Sequence, residues 1–271
     1  MTPPTYFRIQ DIGINPYMTG EIPIHPARAK RQWLALVKLL VYAGVELYFA
    51  DPHPGLPDMV FSANAGSFIG KTFFPSQFLY PSRQGETAIY TETLCNLGYK
   101  IYCTAAEINP FEGQGDTQSV ADRTWIAYGF RTSRKAAHHI GRLFQKEGET
   151  IHYLHLVDPY FYHLDTCLRV VRDKKTNWIL YYPEAFSPKS RKRLHSVYPS
   201  SQRIVVTREE ALEFSCNCID LPNGCLVGHR FSSRLKHAIS QKGYHCQETD
   251  ISEFLRSGGS VRCCILELPP M

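Results

Sequence analysis

Five stretches of the chain carry apolar residues at helical spacing: RAKRQWLALVKLLVYA (28–43), ETAIYTETLCNLG (86–98), SRKAAHHIGRLFQKE (133–147), SPKSRKRLHSVY (187–198) and FSSRLKHAISQKG (231–243). Between them a strand-like run recurs about every 40 to 55 residues: GVELYFADP, GYKIYCTAA, IHYLHLVDP, RIVVTREEA and GYHCQETDI. Each is followed by a second run that sets a polar residue among apolar ones: MVFSANAG, FEGQGDTQ, YHLDTCL, FSCNCIDL and VRCCILEL. The pattern predicts one α/β domain over residues 1–271 made of five units, each with strands and one helix. Five units are few for an open solenoid, whereas closing them into a ring removes the exposed sheet edges. The expected fold is therefore an α/β propeller with pseudo-five-fold symmetry. A doubly wound sheet is the alternative, disfavoured because no GxGxxG turn occurs.

Composition adds limits. The 271 residues are 44% hydrophobic and 20% charged with a formal net charge of +5, ordinary for a globular protein. The basic run SPKSRKRLHS (187–196) lacks interleaved aromatics and reads as a solvated helix face, so no nucleic-acid partner is expected. LALVKLLVYAGV (34–45) is too short to span a bilayer and is broken by Lys38, so no membrane partner is expected either. The first residues show no apolar leader core, and the nine cysteines have irregular spacing without CxxC pairs. The reading is a cytoplasmic chain with reduced thiols, no metal and no cofactor.

A ring has a functional consequence. If each unit turns its second strand toward the axis, Asn64, Glu112 or Asp116, His163, Asn217 and Cys263 converge in a central cavity. Singly, each has a plain structural explanation: Cys263 as a buried thiol, His163 as a satisfied core histidine, Asn217 as a backbone brace. Together with Asp165 they form a set with an obvious complement. Several buried carboxylates are costly unless they face a cation or hydrogen-bond donors. A thiol, an imidazole and carboxylates suit attack on a planar, cationic guanidinium carbon, whose charge would favour the thiolate. In SGGSVRCC, strand alternation would send Cys263 and Cys264 to opposite faces, so only one thiol could reach the axis.

FEGQGD, FYHLDTC and SGGSVRCC, with GLPDMVFSANAG, PSRQGE, GFRTS and FSCNCIDL in order, resemble the signature segments of the guanidine-modifying superfamily. It comprises arginine deiminases, dimethylarginine dimethylaminohydrolases and amidinotransferases. The INPYM segment, the SANAG turn and the FEGQGD loop are most similar to those of arginine dihydrolases. The resemblance implies the five-bladed propeller, a small guanidino substrate such as arginine and a possible homo-oligomer. It implies Cys263 as nucleophile, His163 as general acid and base, and Glu112 and Asp165 as carboxylates near the histidine and the guanidinium. Asn15 and Asn64 fall where asparagines face the substrate, Arg83 and Arg131 where arginines grip its carboxylate. Asp58, Asp116 and Asn217 complete the expected substrate-binding set, Asp116 with the alternative of bracing its loop. At the Asn64 position deiminases and dimethylarginine hydrolases carry a carboxylate. An amide there can face a neutral ureido group, which implies conversion of arginine through citrulline to ornithine. One-step deimination, dimethylarginine hydrolysis and amidino transfer are the alternatives.

Overall fold

The computed structural model describes residues 1–11, 13–102, 109–173 and 176–270. The end of GYKIYCTAA lies outside the described residues. Four three-stranded sheets are present, in the orders β1-β2-β3, β4-β5-β6, β7-β8-β9 and β10-β11-β12. Each opens with a hairpin: β1 (Gly66–Ile69) with β2 (Thr72–Pro75), β4 (Thr117–Val120) with β5 (Arg123–Tyr128), β7 (Leu168–Val171) with β8 (Trp178–Tyr181), and β10 (Ile219–Leu221) with β11 (Cys225–Gly228). A helix follows, and a third strand then joins parallel to the middle one. These third strands are β3 (Lys100–Ile101), β6 (Thr150–His155), β9 (Arg203–Val205) and β12 (His245–Glu248).

The sequence marks the start of these helices clearly. Ser133, Ser187 and Ser232 each accept a hydrogen bond from a first-turn backbone N–H, filling a donor the helix itself cannot satisfy. Pro26 opens the helix Pro26–Tyr42, whose Ala29, Trp33, Leu36 and Leu40 form its buried face. Each expected helix is present, as are the third strands of the four sheets.

Other elements differ from expectation. The middle strands TFFP, RTWIAY, WILY and CLVG were not anticipated, although each pairs with both neighbours. MVFSANAG is mostly not a strand: Pro57–Val60 and Ser62–Ala65 are 3-10 turns, and β1 begins only at Gly66. FEGQGD contains one helical turn, Gly113–Asp116, before β4. The residues 45–50 of GVELYFADP belong to no assigned strand. Arg262–Cys264 forms a 3-10 turn, so strand alternation does not separate the two thiols. Cys263 and Cys264 nevertheless meet different surroundings, as the site shows.

The largest core cluster joins the second and third sheets through Trp125, Leu154, Trp178 and Tyr181. A second, holding Phe7, Trp33, Phe61, Phe254 and Val261, packs beneath Cys263 and Cys264. No helix among the described residues is long and apolar enough to cross a membrane.

Candidate active site

The polar turns meet where the hairpins begin. Asn64 ends one turn, Glu112 precedes the Gly113–Asp116 turn, His163 precedes the turn Leu164–Thr166, and Cys263 lies in the turn Arg262–Cys264. Short turns, unlike strands, can bring their side chains to one point without burying unpaired backbone. Gly113 packs directly on the Gly66 backbone, which a Cβ would meet at 2.5 Å, and its φ of 54° also suits glycine. Gly115 is tighter in function: a Cβ there would overlap Asn64 Nδ2 and lie 3.2 Å from the His163 ring. Gly115→Ala therefore displaces both side chains at once. It is expected to cut kcat at least about tenfold by misplacing reacting groups while the far-ultraviolet circular dichroism stays unchanged.

Cys263 is buried and held on two sides. Asn217 Nδ2 donates to its Sγ at 3.1 Å, and its N–H donates to Asn217 Oδ1 at 3.2 Å. Asp165 Oδ2 lies 3.4 Å from Sγ. Asn217 also donates to the Asp165 carbonyl at 3.0 Å, which fixes the carboxylate beside the thiol. Burial, and then the neighbouring Asp165, push the Cys263 thiol well above its ordinary pKa, so the thiol is protonated while the site is empty. Both thiols belong to the same apolar cluster, but Cys264 lines no part of the cavity described below, whereas Cys263 does. An amidine electrophile is therefore expected to label Cys263 and spare Cys264, read by peptide mass spectrometry; label on Cys264 contradicts the assignment.

His163 Nε2 is 2.8 Å from Glu112 Oε2. Glu112 also receives Arg131 at 3.2 Å and the Leu79 N–H at 3.3 Å. Burial alone would raise the Glu112 carboxyl, but Arg131 and His163 outweigh it and hold its pKa at about 2. Asp116 makes its hydrogen bonds outside this pair. It accepts Thr132 Oγ1 at 2.6 Å and the Leu164 N–H at 3.2 Å, bracing the backbone next to His163. No sequence feature singles out Thr132, which this contact reveals.

Burial raises Asp116 from 3.8 to about 6. A folded-state pKa above the unfolded value stabilises the fold fully at low pH, and that share is lost as pH rises through 6. Two units correspond to at most about 3 kcal/mol. Asp116→Asn removes the titration, so its melting temperature should gain on wild type between pH 4 and 7; a constant difference contradicts this.

Arg83 lies in a buried ion pair with Glu86, with bonds of 2.8 and 2.9 Å, and stacks over Phe78. Its remaining contacts are Asn64 Oδ1 at 3.0 Å and the Asp58 carbonyl at 3.2 Å. Arg131 donates to the Ile14 carbonyl at 3.1 Å and sits between the rings of Tyr80 and Tyr162, each 4.7 Å away. Asn15 donates to the Ser257 carbonyl at 3.1 Å and accepts from the Tyr17 and Met18 N–H groups. Gln114 staples the Cys263 turn to the FEGQGD loop: it accepts from Arg262 and from the Glu267 N–H, both at 2.9 Å, and donates to the Glu267 carbonyl at 2.7 Å.

A cavity of about 20 Å³, room for about one water, is lined by Asn15, Asp58, Asn64, Arg83, Arg131, His163 and Cys263, among others. Outside it lies a vestibule of about 460 Å³ sharing Ile14, Asn15, Met18, Arg131 and Tyr162. The segment around Asn15 thus separates the two. Three buried atoms of the cavity lining have no hydrogen-bond partner among the described residues, Asp58 Oδ1, Asn64 Nδ2 and Ser257 Oγ, and outside the lining Asp165 Oδ1, beside Cys263, has none either. No group of metal-binding side chains occurs among the described residues.

A family profile described as "N,N dimethylarginine dimethylhydrolase, eukaryotic" matches residues 14–269. The chain belongs to the dimethylarginine dimethylaminohydrolase family. Its members hydrolyse amidino C–N bonds with an active-site cysteine, and so does this enzyme's class. The chain is 36% identical over its whole length to an N(G),N(G)-dimethylarginine dimethylaminohydrolase of Mycobacterium tuberculosis, of which it covers 85%. It is 33% identical to the bifunctional arginine dihydrolase/ornithine cyclodeaminase ArgZ of Synechocystis, matching over 99% of its own length but spanning only 37% of that protein. The crystal structure of the ArgZ N-terminal domain, a cysteine-to-serine variant bound to substrate, is similar with a TM-score of 0.89 and 32% identity, covering 97% of this chain and 95% of that one.

Proposed function

We propose that this member of the family is an arginine dihydrolase, releasing ornithine, carbon dioxide and two ammonia from arginine and two waters. The observation that carries the reading is Asn64. Arg83 has only donors, so its bond fixes the amide oxygen of Asn64 outward and leaves the NH2 as the group without a partner. A guanidinium offers donors only and cannot satisfy an amide NH2. A ureido group, the product of the first hydrolysis, presents a carbonyl oxygen that can. The two unpartnered carboxylate oxygens, Asp58 Oδ1 and Asp165 Oδ1, match the N–H groups of the incoming guanidinium. The cavity with Asp165 behind Cys263 therefore offers partners for both substrates of a two-step reaction.

The substrate cation, arriving between the carboxylates, lowers the Cys263 pKa and draws off the thiol proton to His163. The thiolate adds to the guanidinium carbon, and His163 hands the proton to the departing ammonia. Water activated by His163 then displaces Cys263 from the S-linked amidine, leaving citrulline and the thiol. In the second cycle Cys263 adds to the ureido carbon, ammonia leaves, and water releases a carbamate that loses carbon dioxide to give ornithine. Glu112 keeps the imidazole oriented, Asn217 and Asp165 position the thiol, and Arg131, Asn15 and Arg83 shape the carboxylate end. The small cavity requires the segment around Asn15 to move for entry. The fold reading extends likewise: the fifth unit of a propeller would comprise the helix Pro26–Tyr42 with the segments 45–50 and 265–268.

The mycobacterial relative favours dimethylarginine as a second reading. A panel of arginine, citrulline and dimethylarginine separates them. Dihydrolase function predicts turnover of arginine and citrulline, and dimethylamine release from dimethylarginine alone overturns it. Asn64→Asp should halt the reaction at citrulline, because a carboxylate beside the ureido oxygen repels it.

A further inference from the structure

Arg83 turns the Asn64 amide, and Arg83 is itself held by a residue outside the cavity lining. Glu86 is fully buried and touches no part of that lining's open space. Its two carboxylate oxygens accept Arg83 Nε at 2.8 Å and Nη2 at 2.9 Å, a bidentate fork that fixes the plane of the guanidinium as well as its position. Nη2 also donates to the Asp58 carbonyl at 3.2 Å, and Nη1 donates to Asn64 Oδ1 at 3.0 Å. The Phe78 ring covers the guanidinium at 4.5 Å.

The sequence PSRQGET builds this fork locally. Arg83 lies in the helical turn Pro81–Gln84 and Glu86 opens the helix Glu86–Asn96, so the pair is spaced i, i+3. A carboxylate in a first helical turn is favoured by the free N–H groups there. The same helix also holds the backbone of the Asn64 turn. Thr87 Oγ1 donates to the Ser76 carbonyl at 2.8 Å, and Ser76 Oγ donates to the Asn64 carbonyl. One turn on, the Tyr90 hydroxyl meets the Met59 carbonyl and Ser62 Oγ, where the turn Ser62–Ala65 begins. With its main chain held, Asn64 keeps one freedom, rotation of its amide. Among the described residues only Arg83 bonds that amide.

We infer that Glu86 is a positioning residue that selects for the second substrate: through Arg83 it keeps the Asn64 NH2 turned toward the ureido oxygen. This inference rests on the dihydrolase reading and names the residue that enforces it. Without the carboxylate fork the guanidinium is free to leave Asn64, and the amide, whose two ends are nearly equal in size, turns over. A turned amide presents its oxygen, which suits the donors of a guanidinium and opposes the oxygen of a ureido group. The loss therefore falls on citrulline far more than on arginine.

The test measures kcat/KM for arginine and for citrulline separately in wild type, Glu86→Gln and Glu86→Asp. Glu86→Gln should lower the citrulline-to-arginine ratio at least about tenfold. Glu86→Asp retains a buried ion pair but loses the matched fork, so it should move the ratio the same way by a smaller factor, without leaving Arg83 unpaired. Arginine turnover reports that each variant is folded. A residue that only supports the fold would slow both substrates in parallel, so an unchanged ratio in Glu86→Asp, or in a folded Glu86→Gln, overturns the inference while the dihydrolase reading stands. A wild-type protein that consumes arginine and leaves citrulline intact overturns the reading, and the inference with it.

Discussion

Cys263→Ala eliminates turnover, by at least about 10⁴-fold in kcat, while arginine still binds. The size of the loss follows from the site's lack of a substitute. No second thiol among the described residues lines the cavity, whose hydroxyl groups belong to Tyr162 and Ser257, and Cys264 is not part of its lining. Binding survives because the groups that match a guanidinium, Asp58 and Asp165, are untouched. Removing the thiol also takes a protonated, desolvated group from beside Asp165, so arginine affinity should hold or rise. Calorimetric titration of the alanine variant with arginine checks the binding half, and a coupled ammonia assay the catalytic half. Residual turnover within tenfold of wild type would remove Cys263 from its role.

His163→Gln is expected to lower kcat by about 10²–10⁴-fold, the usual range for a lost general acid and base. The glutamine can still reach Glu112, so the buried carboxylate keeps a donor and the fold is spared the cost of an orphaned charge. Ammonia is a poor leaving group unless protonated, so both chemical steps should slow. Adding imidazole should restore part of the rate to a smaller variant, His163→Gly, and not to Cys263→Ala. Glu112 itself titrates near 2, below any working pH, so an acid limb in the pH profile of kcat does not come from this carboxylate. Glu112→Gln should preserve that limb while lowering its plateau; loss of the limb would assign it to Glu112.

The helices were legible because period and punctuation agree: SRKAAHHIGRLFQKE combines a one-sided apolar stripe with a serine cap that the structure realises at Ser133. The third strands were legible because they follow those helices at fixed distance. The middle strands were not. WILY and CLVG are buried on both faces, so they show no alternation, and four apolar residues carry no period of their own. Without them, the hairpin in each unit was replaced by a single run carrying a polar residue.

The site divides in the same way. Residues within the short motifs, Cys263, His163, Glu112 and Asn64, could be named because a chemistry demanded them together. Partners across long separations could not. Glu86 completes Arg83, Thr132 holds Asp116, and Gln114 ties the Cys263 turn to a loop nearly 150 residues away. Gln114, inside FEGQGD, bonds to Arg262 and Glu267. Asp116, a carboxylate in a signature motif, accepts from Thr132 Oγ1 and the Leu164 N–H, the loop-bracing contacts that the sequence offered as its alternative role.

The central claim is that one cavity carries arginine through two hydrolyses, and the amide donor of Asn64 is its physical basis. Incubating the purified protein with arginine and quantifying products by mass spectrometry tests it most directly. The account predicts ornithine as the end product with two ammonia released per arginine and only transient citrulline. Citrulline accumulating with one ammonia per arginine, and no ornithine, would contradict it.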